Sequence, residues 1–132
     1  MTKVLGERVS HPITAEQLDV IKDIHPSVGR VEYTTKELNA LCPVTNQPDQ
    51  YELKISYDPD GRTIESKSLK LYLWSFRDKG VYAENLAATI ASDLTRALQV
   101  RVDVEITQQV RGGLVLKAQA TAYLHGIGRE RP

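Results

Sequence analysis

A single cysteine stands among the 132 residues, so no internal disulfide can form, and an unpaired thiol fits the reducing cytoplasm. That cysteine and three scattered histidines, His11, His25 and His125, make no recognisable ligand set for zinc, and no metal is expected. Neither sign of charge is in excess. Seventeen basic and seventeen acidic residues cancel, which removes the electrostatic footprint of a protein bound to nucleic acid or to a membrane surface. No apolar run approaches the length of a membrane span, and the first residues, Met1 to Glu7, lack the apolar core of a signal peptide. No Gly-x-Gly-x-x-Gly fingerprint follows a strand pattern, so a Rossmann domain is not expected. Internal repeats and low-complexity stretches are also missing.

What is present is ordinary for a globular chain, with 41% hydrophobic and 26% charged residues, and the length suits one domain. Residues 1–27 are expected to be an N-terminal extension and 28–132 a single domain. In the extension Thr14 could cap a helix running through Lys22, with Leu18 and Ile21 facing the body and Pro26 as its stop. Gly29 to Thr34 alternates weakly as a first strand. Tyr51, Leu53, Ile55 and Tyr57 share one face opposite Glu52, Lys54 and Ser56, the pattern of a half-buried antiparallel strand. Asp58-Pro59-Asp60-Gly61 is a turn in which proline presets φ and glycine accepts its positive value. A short strand to about Ser66 and then a helix broken at Gly80 follow.

From Tyr82 to Leu98 the helical stripe is strong: Leu86, Ala87, Ile90, Ala91, Leu94 and Leu98 lie on one face. Val100, Val102, Val104 and Ile106 alternate as a strand, Arg111-Gly112-Gly113 turns, and Leu114 to Leu124 alternates back to complete a hairpin. His125 to Pro132 is expected to be a loose tail. The order strand, strand, helix, helix, strand, strand predicts an α+β fold: an antiparallel sheet with both helices on one face. The opposite face and the sheet edges would need partners, which points to an oligomer.

Within this frame the stretch Leu41-Cys42-Pro43-Val44-Thr45-Asn46-Gln47-Pro48-Asp49 holds the chemistry-bearing residues. Two prolines should stiffen it into an ordered loop that is neither helix nor strand. A cysteine seven positions from a carboxylate is a candidate nucleophile with a proton shuttle; the plainer reading is a small buried hydrophobe. Glu84, taken by itself, is a carboxylate favoured by the first turn of a helix. Lys67 and Lys70 alone are a solvated face, and Ser66 an ordinary strand-end serine.

Three segments, taken in order, resemble a known family: the cysteine stretch, then Glu65-Ser66-Lys67-Ser68-Leu69-Lys70-Leu71-Tyr72-Leu73, then Val110-Arg111-Gly112-Gly113. They look like the short form of the NADPH-dependent nitrile reductases of queuosine biosynthesis, which convert preQ0 to preQ1 (7-cyano- to 7-aminomethyl-7-deazaguanine), and the likeness runs from about Val28 to Gly113. The resemblance implies the tunnelling fold, whose subunits pool their sheets into a barrel, assembled as pentameric rings often stacked in pairs. It implies Cys42 as nucleophile, forming a thioimide with the nitrile, and Asp49 as general acid/base. It implies Glu84 and Ser66 as substrate contacts, and Lys67, Lys70 and Arg111 as cations for NADPH. The family generally has histidine just before the anchoring glutamate; here that position is Ala83. A similar enzyme, the amidinotransferase of archaeosine formation, uses the same cysteine addition on preQ0 already in tRNA, and a purine-binding oligomer without catalysis is the remaining alternative.

Overall fold

The computed structural model describes residues 10–124 and the backbone of 126–127. Expectations placed on Met1 to Glu7, on His125 and on the chain from residue 128 onward lie outside these. In chain order the elements are a 3-10 turn (Ala15–Gln17), β1 (Val20–Ile21), β2 (Val31–Leu41), β3 (Pro48–Tyr57), β4 (Thr63–Ile64), α1 (Ser66–Trp74), α2 (Ala83–Leu98), β5 (Val102–Gln108), β6 (Lys117–Tyr123) and β7 (Gly126–Ile127). The long elements follow the expected ββααββ order. They form an antiparallel sheet, β2-β3-β5-β6-β7, and β1 pairs separately with β4. No described helix is long and apolar enough to cross a membrane.

The period-two pattern of β3 explains its central place. Tyr51, Leu53, Ile55 and Tyr57 are all buried, while Glu52 and Lys54 are exposed. β5 continues the same face with Val102, Val104 and Ile106. Across that face lies α2, whose Leu86, Ile90, Leu94 and Leu98 are fully buried; each contributes roughly 1.5–3 kcal/mol by leaving water. Alanines at 118, 120 and 122 keep β6 thin enough for the helix to approach, and the Thr95 hydroxyl donates to the Ala122 carbonyl at 3.1 Å. The helix ends at Gln99, which adopts a left-handed conformation (φ 62°) usually given to glycine. α1 packs on the same face toward β2. Its Tyr72 meets Phe76 edge-on at 5.3 Å and donates a 2.6 Å hydrogen bond to Asp93 of α2, which ties the two helices together.

β2 carries the feature that most affects the site. Its register against β3 shifts between Thr35 and Leu38: Thr35 pairs with Leu53, and Leu38 already pairs with Tyr51. Three steps on β2 are matched by two on β3, so β2 holds one extra residue, a bulge at Lys36 and Glu37. Before the bulge the odd-numbered residues Tyr33 and Thr35 face inward; after it Leu38 and Ala40 do, both completely buried. Because side chains alternate with period two, this phase change decides which face the end of the strand presents.

Several expectations need correction. The helix expected over 15–22 is only the 3-10 turn. Thr14 and Gln17 do form a capping box, but the chain then extends, and Val20–Ile21 pairs with β4. Ile13 and Leu18 are core residues, with the Ile13 N–H donating to the Leu71 carbonyl, so this stretch is built into the body, whereas Ile21 is exposed. α1 stops at Trp74, before Gly80. The first strand extends well past Thr34, to Leu41, and the tail expected to be loose begins with β7, paired to the end of β6.

Candidate active site

Cys42 lies where β2 turns into β3. The Cys42 N–H donates to the Gln47 carbonyl and the Asn46 N–H to the Cys42 carbonyl, both at 2.8 Å. Asn46 takes the left-handed conformation that closes such a turn (φ 60°). The expected loop from Leu41 to Asp49 is therefore a tight hairpin, with Pro48 and Asp49 already inside β3. A second constraint comes from beyond α1. The Leu41 N–H donates to the Lys79 carbonyl at 2.8 Å, and the Val81 N–H donates to Leu41 at 3.1 Å. This parallel stitch of Gly80 onto the strand end brings the start of α2, with Ala83 and Glu84, to the same end of the sheet.

The hairpin register pairs Ala40 with Asp49, so Asp49 inherits the inward face set by the bulge. It is 4% exposed. The Arg111 guanidinium bonds its Oδ1, and the Tyr51 hydroxyl donates to its Oδ2 at 3.3 Å. Cys42 is half-buried beside them. Its thiol is pulled down to about 7, first by the Thr45 hydroxyl, then by the backbone N–H groups of Thr45 and Val44; desolvation opposes, and Arg111 adds a further hydrogen bond. A thiol in this state is about half thiolate at neutral pH, without needing a strong base. Burial raises the Tyr51 phenol, and the negative charges of Cys42 and Glu84 raise it further, which locates Glu84 in the same electrostatic neighbourhood.

Cys42, Asp49, Arg111 and Glu84 thus come together at one end of the sheet. Ser66, Lys67 and Lys70 belong to the first turns of α1. Ser66 is its first residue, two positions beyond the end of the short strand in which it was expected, and with Lys70 it lines a cleft of about 990 Å³ between α1 and the β2 side of the sheet. The cleft extends to Leu41 and Pro48, which flank the Cys42 turn. At the start of α1 the Glu65 carboxylate accepts the backbone N–H groups of Lys67 and Ser68, each at 2.8 Å. Ala83 is buried in the first turn of α2. Two described histidines lie on the surface: His11 contacts the Pro12 carbonyl and His25 the Ser27 hydroxyl.

Two contributors were not singled out from sequence. Tyr51 was assigned only to the core, although its spacing of two from Asp49 puts both on one face. Thr45 lay within the quoted stretch without a role. Arg111 was expected among cofactor cations, yet its partners here are Asp49 and Cys42; a pairing across 62 residues leaves no local signal.

Residues 48–123 match the family model described as QueF-like protein. A protein of Frankia casuarinae named NADPH-dependent 7-cyano-7-deazaguanine reductase is 45% identical over 87 residues, covering 65% of this chain and 70% of its own. One of the same name from Syntrophus aciditrophicus is 40% identical over 108 residues, covering 80% and 77%. Among solved structures, the crystal structure of the archaeosine synthase QueF-Like in the apo form superposes with a TM-score of 0.66 at 21% identity, over 71% of this chain and 93% of that one. That likeness establishes a shared fold.

Proposed function

The chain belongs to the QueF-like family, and from that premise we propose that it reduces the nitrile of 7-cyano-7-deazaguanine (preQ0) to the aminomethyl group of preQ1, using NADPH, in queuosine biosynthesis. The observation that carries this reading is the pairing of a Cys42 thiol drawn down to about 7 with the buried Asp49 carboxylate at one hairpin end. A nitrile carbon is electrophilic. As Cys42 Sγ bonds to it, one π bond of the nitrile opens, and the proton given up by the thiol passes through Asp49 to the nitrile nitrogen, leaving a thioimide on Cys42. A bound NADPH would supply two hydride equivalents; after the first is added the C–S bond breaks and returns the Cys42 thiol, and two protons complete the amine. Asp49 serves these protonations as well. Glu84 accepts the paired N–H donors of the deazaguanine edge, and Ser66 provides a second contact.

The residues at the start of α1 fit a phosphorylated cofactor. Glu65 already occupies two helix-terminal N–H groups, so the positive charge for the phosphates comes from the side chains of Lys67 and Lys70. The cleft that Ser66 and Lys70 border falls within the volume range of small-molecule sites.

Assembly into rings, pentameric and stacked as decamers, is supported by two features. β2 is an outer strand of 11 residues, and Val110, Leu114 and Val115 expose 59%, 77% and 59% of their surface on one turn beside the site. The substrate is the free base, the balanced charge supports no direct nucleic-acid contact, and the enzyme works in the cytoplasm. Ala83 favours a second reading, amidine transfer to preQ0 in tRNA, because the usual histidine is missing there.

Incubation with preQ0 alone should add one substrate mass at Cys42, absent from Cys42→Ala, and NADPH should then be consumed only when free preQ0 is present. Turnover with ammonia on preQ0-containing tRNA, and none with NADPH, would instead establish the second reading.

A further inference from the structure

Residues 13–21 precede the part of the chain that the family model matches, yet they are bonded to α1 at several points. The Asp19 N–H donates to the Ser68 hydroxyl at 3.1 Å, and the Asp19 carbonyl accepts the Glu65 N–H at 2.9 Å. Both main-chain groups of one residue are thus committed to the start of the helix. Further along, the Ile13 N–H donates to the Leu71 carbonyl at 3.3 Å. Val20 pairs with Ile64 just before the helix, and Ile13 and Leu18 bury their side chains in the core. The Ser68 hydroxyl is completely buried and donates in turn to the Glu65 carbonyl at 2.9 Å, so it joins the segment to the helix. Ser68 stands roughly 200° around α1 from Lys70. One side of the helix is therefore fastened to residues 13–21, while Ser66, Lys70 and Leu73 line the cleft on another. A first helical turn lacks internal partners for its N–H groups and is where a short helix frays; here it is held from outside.

We propose that residues 13–21 form a strap that positions the first turn of α1, and that Ser68 is the positioning residue through which it keeps Ser66, Lys67 and Lys70 at the cleft. The inference deepens the reading of the two lysines as cofactor cations and rests on it, whereas the bonds of the strap stand without it. Lysine side chains are long and lose much rotamer freedom when they grip a phosphate. A backbone that also moves beneath them adds to the cost of binding, and fastening it removes that part. The Cys42 turn is held by separate bonds, its own and those that join Leu41 to Lys79 and Val81, so the thiol should not respond to the strap.

The test uses Ser68→Ala in the full chain, with three readouts. The KM for NADPH should rise by about threefold to tenfold, as expected for losing a neutral hydrogen bond, while kcat stays within about twofold. The pH midpoint of Cys42 alkylation by iodoacetamide, measured without substrate, should not move. Amide hydrogen exchange should quicken in peptides covering 13–21 and 64–72 and stay unchanged in those covering β3 and α2. A fold that is merely weakened behaves differently: exchange quickens throughout and kcat falls with the amount of native protein, at an unmoved KM. Leu18→Val removes one methylene from the strap and keeps every bond to the helix, so it should raise the KM for NADPH in the same direction by less. If Ser68→Ala loses its native circular dichroism, Leu18→Val carries the comparison. An unmoved KM for NADPH in a folded variant overturns the proposal, and so does exchange that quickens evenly across the chain. Should the unsubstituted protein neither consume NADPH with preQ0 nor enhance NADPH fluorescence on binding, the reaction assignment fails; exchange then decides alone, and unchanged exchange over 64–72 still overturns the strap.

Discussion

Replacing Thr45 by Val removes one hydroxyl while keeping the branched shape and the backbone N–H. Thr45 is exposed, so the change costs little packing. Its hydroxyl is the largest single influence lowering the Cys42 thiol to about 7, with the N–H groups of Thr45 and Val44 next. At pH 7 a thiol with that value is about half ionised, whereas an unassisted cysteine near 8.5 is about 3% ionised, a ratio of roughly fifteen. Fifteenfold is therefore the ceiling on what the whole turn contributes to thiolate supply at neutrality. The backbone donors and Arg111 remain in the variant, so the alkylation rate at pH 7 should fall by about threefold to tenfold. The sign follows from the direction of the shift: reactivity is present above the midpoint and disappears as pH falls through about 7, and the variant loses it at higher pH. Iodoacetamide kinetics from about pH 5.5 to 9.5 measure this, with the midpoint as readout because the plateau rate itself rises slightly with thiol basicity. A midpoint near 8.5 in the unsubstituted protein, or one that Thr45→Val leaves in place, refutes the account of how the turn activates its sulfur.

Lys67→Ala combined with Lys70→Ala should raise the KM for NADPH and leave adduct formation with preQ0 intact; losing the adduct instead would show that these lysines serve the substrate side. Tyr72→Phe removes the hydrogen bond to Asp93 and should cost roughly 1.5–3 kcal/mol by urea denaturation. Burial, and then Asp93, raise the Tyr72 phenol far above its ordinary value. Its contribution to stability is therefore complete below about pH 10 and is lost as pH rises beyond that, so phenol absorbance should show Tyr72 ionising only on unfolding. Deleting Glu37 removes the extra residue in β2 and leaves a single residue opposite Glu52, so Leu38 and Ala40 keep their inward face in an unbroken ladder. The denaturation midpoint should therefore stay close to that of the unsubstituted protein, and a loss of about 2–5 kcal/mol, as expected if Leu38 were exposed, would contradict the register described here.

Much of the fold was legible because its signals are local. The alternation of Tyr51 to Tyr57 and of Val102 to Ile106 matches strands that are buried on one face, and the stripe from Leu86 to Leu98 matches a helix laid on them. The failures share a cause, which is that distant pairing overrode local preference. Thr14 did cap a turn, but β4, more than forty residues away, drew Val20 and Ile21 into a strand. Nothing in Thr35-Lys36-Glu37-Leu38, which lacks glycine and proline, marks a bulge; the register of β3 imposes it. The site divides in the same way. Cys42 and Asp49 share one hairpin and could be picked out together, whereas the Arg111 contact exists only once two hairpins lie side by side.

The phase change in β2 also has a consequence for how this chain can vary. Upstream of Lys36 the strand answers to the sheet, with odd positions inward; downstream it answers to the chemistry, with even positions inward. A one-residue gap or insertion between Leu38 and Cys42, past the bulge, would break that parity and move the sulfur off its present face, even if every other residue were kept. Relatives should therefore tolerate the loss of one residue at Lys36 or Glu37, where the extra residue is taken up, far more readily than a gap between Leu38 and Cys42.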